Sequence, residues 1–372
     1  MSPSFKVGRI FGIPFGVNWS WLVVVALIVW SLGSGVFPAQ NPGLSRGTYY
    51  GMAVVAALAF FGALLLHELG HALVAKHEGM EIEGITLWLF GGVARFRGMF
   101  PSAGAEFRIA VAGPLVTLAL GAIFVTLAAF ADLPTEVDGV LAWLGYINLM
   151  LLGFNLLPAL PLDGGRILRS ILWRVKGDFP WATQVAAIAG RSFAFLLIAG
   201  GIALFVFQGA FGGAWLAFVG WFLLQASASE LRYLAVQEAL DGLRVRNLMT
   251  REPITVGPDL TLGDVVDEIT PLRRHTTYPV VEGERAVGLL PFWRVASVPR
   301  SEWDVKKVRD CMLPLAEVPT VTEEEPALDA LVELQEAPVQ RALVVDDGRL
   351  VGLLSISDVA HAIAIRRPLR RP

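Results

Sequence analysis

The sequence predicts an α-helical polytopic membrane domain with a small membrane-associated β-hairpin, followed by a soluble α/β repeat. Three observations predict it. Of 372 residues, 55% are hydrophobic and only 17% charged, well outside the balance of an ordinary soluble domain. The charge is also unevenly spread: positions 1–240 hold 13 Lys/Arg and 12 Asp/Glu, and positions 241–372 hold the remaining 17 and 21, nearly threefold denser per residue. Lastly, the charge-rich part repeats itself with a period near 64 residues. The same figures exclude other classes. A net charge of −3, with no basic block interleaved with aromatics, excludes a nucleic-acid partner. The single cysteine, Cys311, excludes an internal disulfide and any zinc site built on several thiolates. A metal here must be held by His and carboxylates.

The bilayer's hydrocarbon core of about 30 Å needs about 20 apolar residues per helix. Uncharged runs at 19–37, 47–66, 109–131 and 139–162 each meet that length. A fifth run, 192–229, is too long for one crossing, and Gln208, Gly209, Gly212 and Gly213 offer a turn, so two crossings are predicted there. With six helices, Lys6, Arg9, Lys76, Arg95, Arg97, Arg108, Arg166, Arg169, Arg174, Lys176, Arg191 and Arg232 fall on one side and only Arg46 on the other. The positive-inside rule then puts the chain in the cell membrane as a multi-pass protein with both termini cytoplasmic. No small-residue cleavage site follows the first run, so it is expected to remain as a helix. Between the second and third helices, residues 81–100 alternate around Gly91 and Gly92, which predicts a strand pair at the membrane surface. Non-helical backbone at that depth survives only where protein or a wet cavity satisfies it.

The segment His67-Glu68-Leu69-Gly70-His71 fits the H-E-x-x-H pattern near the inner end of the second helix. On a helix, imidazoles at i and i+4 share a face and can chelate a metal, and the intervening Glu can serve as general base on a water. Three ionisable residues inside an otherwise uncharged span are costly to insert and functional by default. A catalytic zinc takes three protein ligands and a water, and the fourth run supplies the third candidate, Asp163, in Asn155-Leu-Leu-Pro-Ala-Leu-Pro-Leu-Asp163-Gly-Gly. Pro158 and Pro161 break the helix ahead of it, and Gly164 and Gly165 allow a tight turn. Asn155 either donates its amide to a developing oxyanion, holds an extended substrate, or bonds another helix.

These residues resemble the site-2 protease family of intramembrane metalloproteases. The resemblance covers about positions 8–230 and rests on HELGH at 67–71, GGVA at 91–94, EFRIAVAGPL at 106–115 and NLLPALPLDGG at 155–165. It implies one zinc ion held by His67, His71 and Asp163, Glu68 activating water, Asn155 assisting at the scissile carbonyl, and Gly91 and Gly92 on a strand or loop that approaches substrate. Thr117 departs from the family's usual Asn and reads as a weakened helix contact outside the chemistry. The implied substrate is a single-span transmembrane protein, such as an anti-sigma factor or membrane-tethered transcription regulator.

In the soluble part, Val245-Arg-Asn-Leu-Met249 returns as Val308-Arg-Asp-Cys-Met312, and Val287-Gly-Leu-Leu290 returns as Val351-Gly-Leu-Leu354. Each copy reads strand, helix, strand, strand, helix. The segment resembles a CBS-domain pair, which implies an α/β fold, a homodimer formed through it and an adenine nucleotide at Ser355 and Asp358. The matching positions of the first copy, Pro291 and Arg294, lack the ribose acceptor; a purely structural or dimerising module stays open. The expected organisation is a protease domain at 1–230, a linker at 231–244, CBS copies at 245–300 and 301–365, and a solvated basic tail at 366–372. The competing function is a CBS-gated metal-ion transporter or channel with His67, His71 and Asp163 on its pathway. Glu68, in the base position of a hydrolase motif, separates the two.

Overall fold

Ahead of the long helices, four side chains turn extended backbone into helix by accepting a bond from an orphan backbone N–H: Asn18 from Ser20 (3.0 Å), Ser45 from Thr48 (3.1 Å), Ser102 from Ala105 (3.1 Å) and Asp178 from Trp181 (2.8 Å). The structure, a computed structural model, describes residues 4–88, 91–96, 98–269 and 276–369, and it divides into two units, Met1–Arg232 and Tyr233–Pro372. Arg97, which entered the charge argument, and residues 370–372 of the basic tail lie outside the described residues.

The first unit begins with strands β1 (Ser4–Ile10) and β2 (Ile13–Asn18), joined through Phe11 and Gly12 at φ +52° and +82°. Helix α1 (Trp19–Ser31), a π-helical turn (Leu32–Val36) and α2 (Phe37–Gln40) form the first span. Then follow α3 (Arg46–His77), β3 (Ile82–Trp88), β4 (Gly91–Phe96), α4 (Ala103–Phe130), α5 (Thr135–Asn155), α6 (Asp163–Lys176), α7 (Phe179–Gln208) and α8 (Phe211–Leu240). Among the described residues, six helical segments are long and apolar enough to cross a membrane: Trp19–Gln40, α3, α4, α5, α7 and α8.

The expected number of spans stands, but their bounds move. The second runs on to His77, so HELGH lies within continuous helix. The fourth stops at Asn155 instead of 162, because Pro158 keeps the preceding backbone out of helical geometry. The turn between the last two spans is at Gly209 (φ +62°), whereas Gly212 and Gly213 are helical. A Cβ on Gly213 would stand 2.5 Å from the Gly201 carbonyl oxygen, so that glycine serves close packing of α7 on α8. The stretch 231–240, read as linker, continues α8.

Two elements went unread in the sequence. The hairpin β1–β2 extends the expected strand pair into a four-stranded sheet, order β1-β2-β3-β4, with β2 and β3 parallel. Helix α6 carries Arg166, Arg169, Arg174 and Lys176 and ends at Gly177 in the left-handed region (φ +75°). The sheet packs on α3: Ile13 and Ile85 meet Leu69 and Ala72, and Leu87 meets Phe61 and Leu64. That packing lays the sheet alongside the H-E-x-x-H turn.

The second unit holds the repeat. Its first copy comprises β5 (Thr250–Arg251), α9 (Leu262–Asp264), β6 (Thr277–Glu282), β7 (Arg285–Pro291) and α10 (Phe292–Ala296). The second comprises α11 (Val308–Cys311), β8 (Leu313–Pro314), β9 (Thr320–Val321), α12 (Ala327–Glu336), β10 (Arg341–Asp346), β11 (Arg349–Ser355) and α13 (Ile356–Leu369). The short strands are exchanged: β5 of the first copy pairs with β11 of the second, and β8 of the second pairs with β7 of the first. The repeated glycines make room for this. A Cβ on Gly288 would lie 2.3 Å from the Leu313 carbonyl oxygen, and one on Gly352 would lie 2.7 Å from the Met249 sulfur.

Gly288 is the tighter of the two, since its neighbour is backbone. Gly288→Val is expected to destabilise the C-terminal unit by about 1–3 kcal/mol through overpacking. Denaturant titration of the purified chain, followed by the Trp293 and Trp303 fluorescence of that unit, measures it; an unchanged midpoint would show that the exchanged strand can shift freely.

Candidate metal centre

Helix α3 presents His67 and His71 one turn apart, both buried. Helix α4 supplies the surface against which they pack. Residues Ile109, Gly113 and Thr117 fall at helical spacing on one buried face of α4, and each meets the imidazole pair differently. The Ile109 carbonyl oxygen is 2.6 Å from His71 Nδ1, and Thr117 Oγ1 is 2.8 Å from His67 Nδ1. A carbonyl can only accept, so neutral His71 carries its proton on Nδ1 and leaves the Nε2 lone pair free. Thr117 can accept in the same way from His67. At Gly113, an added Cβ would lie 2.3 Å from His71 Nε2 and 2.8 Å from His67 Cε1, so only glycine admits both rings.

The third donor comes from a different element. Asp163 is the first residue of α6, where a carboxylate is favoured by the helix dipole. The loop before it folds back tightly on α6. Added Cβ atoms on Gly164 and Gly165 would lie 2.3 Å from the Leu156 carbonyl oxygen and the Leu160 nitrogen, and one on Gly190 of α7 would lie 2.1 Å from the Leu160 carbonyl oxygen. The two glycines after Asp163 are therefore helical residues that admit neighbouring backbone, and the turn itself lies earlier, at 156–162.

The donors converge. His67 Nε2 and His71 Nε2 are 3.1 Å apart, Asp163 Oδ2 is 3.2 Å from the first and Asp163 Oδ1 is 3.3 Å from the second. Donors placed 2.0–2.1 Å from a zinc ion stand about 3.3 Å apart along the edges of a tetrahedron. Two lone pairs and a carboxylate facing one another repel unless a cation lies between them. Among the described residues this is the one group of His, Cys, Asp and Glu drawn together in that way, and it fits a zinc ion.

Glu68 is half-buried on the next position of α3, with its side chain lying over β4. A Cβ on Gly92 would sit 2.3 Å from Glu68 Cγ and 3.1 Å from Glu68 Oε1, so Gly92 is the clearance that admits this carboxylate. Asn155 is the last residue of α5 and is half-buried. Thr117 overturns the reading of a mere helix contact: it directly orients a member of the cluster. The Ile109 carbonyl had no signature in the sequence, while the Gly113-Pro114 step in the middle of a span was a signal of close approach.

In the second unit, Ser355 and Asp358 close a reciprocal cap on α13. Asp358 Oδ2 accepts from Ser355 Oγ (2.6 Å) and from the Ser355 N–H (2.9 Å), and Ser355 Oγ accepts from the Asp358 N–H (3.2 Å). In the first copy Arg294 donates instead to the Met312 carbonyl (3.0 Å).

Comparison with known proteins matches residues 55–133 and 131–200 to the model of peptidase family M50, and residues 245–299 and 308–365 to that of the CBS domain. The chain is 40% identical over 373 residues to Rip3 of Mycobacterium tuberculosis, covering 99% of this chain and 94% of that protein. It is 31% identical over 365 residues to a zinc metalloprotease of Methanocaldococcus jannaschii, covering 98% and 97%. Among solved structures it resembles the site-2 protease of Methanocaldococcus jannaschii, with 32% identity, a TM-score of 0.43, and coverage of 62% of this chain and 95% of that one.

Gly113→Ala is expected to displace the imidazoles and abolish zinc retention, read as metal content of the purified protein. Thr117→Val, which keeps the volume and loses the acceptor, is expected to lower zinc affinity about 10–100-fold. Full affinity in that variant would mean that His67 is oriented by packing alone.

Proposed function

This chain belongs to peptidase family M50, the site-2 proteases, and carries a CBS-domain pair; from that premise we propose that it hydrolyses a peptide bond in or beside a transmembrane segment of another membrane protein. The observation that carries the reading is the meeting of His67, His71 and Asp163, from two elements, within a bundle of six apolar spans, with Glu68 beside them. His67, His71 and Asp163 would hold a zinc ion, which would supply a Lewis acid for the scissile carbonyl and acidify a water. The Glu68 carboxylate takes a proton from the attacking water and returns it to the leaving nitrogen. The Asn155 amide donates to the carbonyl oxygen as negative charge develops there.

A helical substrate hides its carbonyls in i→i−4 bonds, so the segment to be cut must be extended. Strand β4 ends the sheet order and offers its outer edge to such a segment, and Gly91 and Gly92 keep that edge bare of side chains next to Glu68. The substrate is a single-span protein, of the kind that tethers an anti-sigma factor or transcription regulator. The Lys/Arg distribution supports cytoplasmic termini. In the CBS pair, Asp358 commits Oδ2 to the helix cap and keeps Oδ1 for a ribose hydroxyl of an adenine nucleotide, and the pair joins two copies of the chain.

The test uses the purified chain in lipid vesicles with a single-span substrate. Wild type is expected to cleave it and to lose activity on chelation. Glu68→Gln is expected to retain zinc and to be slower by at least about 100-fold, the lower end of what a general base contributes. Equal rates for the two proteins would remove Glu68 from the base position.

A further inference from the structure

The first unit contains a buried ion pair that the proposed hydrolysis does not use. Arg169 of α6 and Glu106 of α4 are both buried, and Arg169 Nε donates to Glu106 Oε1 at 2.7 Å. The guanidinium lies between the rings of Phe100 and Phe179, 5.9 and 5.0 Å from their centroids, with Glu230 Oε2 3.6 Å away. Glu106 Oε2 has no hydrogen-bond partner among the described residues. An incompletely satisfied buried pair is a poor source of stability, and its best-attested use is to fix register.

Register is what the geometry calls for. Glu106 lies on the same buried face of α4 as Ile109, Gly113 and Thr117. At 1.5 Å per residue, Glu106 stands roughly 10 Å along α4 from Gly113, and Arg169 roughly 9 Å along α6 from Asp163. With Arg169 locked on Glu106, Asp163 comes level with Gly113, where the imidazoles lie. We propose that Glu106 and Arg169 are positioning residues that set the depth of Asp163 against the histidine pair, so that α4 gauges the ligands of α3 and α6 together. The proposal rests on the metalloprotease reading of His67, His71 and Asp163.

A shift of α6 by one residue would move Asp163 by about 1.5 Å, enough to break ligand geometry. The experiment pairs Glu106→Leu with Arg169→Met in the full-length chain in detergent, replacing the charges with apolar groups of similar size, an exchange that buried pairs often tolerate. The unfolding midpoint of the metal-free protein is expected to stay close to wild type, while zinc affinity, measured by chelator competition, falls about 10–100-fold, the usual cost of losing an outer support. The cobalt-substituted protein is expected to show a changed visible absorption as the carboxylate drifts from the cluster. Should the double variant not fold, Arg169→Lys decides: it keeps the charge, lacks the forked donor, and is expected to lose about tenfold in zinc affinity. Unchanged affinity in either folded variant overturns the proposal. A wild-type chain that binds no zinc overturns the metalloprotease reading instead, so the two failures are distinguishable.

Discussion

Two imidazole nitrogens and a carboxylate are held 3.1–3.3 Å apart inside an apolar bundle, the spacing that ligands of one zinc ion require, and the surrounding residues are arranged to keep it. Each ring is tethered by its far nitrogen, one to a hydroxyl and one to a carbonyl, so both Nε2 atoms stay turned toward Asp163. The carboxylate is tethered by its backbone, through a loop pressed against two glycines of α6 and one of α7. Glycine recurs at each of these contacts for one reason. The converging elements approach to distances that a single methyl group would forbid.

The same constraint explains why the sheet lies where it does. Leu69 and Ala72, from the far side of the H-E-x-x-H turn, are buried against Ile13 and Ile85 of the sheet, so one helical turn faces the metal ligands on one side and the strands on the other. Glu68 falls between those two faces and reaches over Gly92. Sheet and ligands are thus positioned by one stretch of helix, and neither can be moved without the other.

Much of this could be read from residue order because lipid simplifies the problem. Uncharged stretches long enough to span announce themselves, and ionisable groups inside them stand out, which is why His67, Glu68, His71 and Asp163 draw the eye in the sequence. What escaped notice was of two kinds. Thr117 and Ile109 act across 50 and 38 residues of chain, and a carbonyl has no letter of its own. Helix α6 and the hairpin β1–β2 are too polar to register as spans, and Phe11-Gly12 is an uncommon turn pair beside the Asn-Gly that advertises a hairpin. The choice between a hydrolase and a conduction pathway was open on intramembrane charge alone, and membership of a peptidase family resolves it in favour of the enzyme.

The repeat in the second unit carries a different lesson. Because β5 and β8 each pair with a strand of the opposite copy, and β7 pairs with β11 in one seven-stranded sheet, the duplication has become indivisible. Removing either half would strip an edge strand from the survivor and leave Gly288 or Gly352 facing a gap, so whatever arose as two modules now folds, and is inherited, as one.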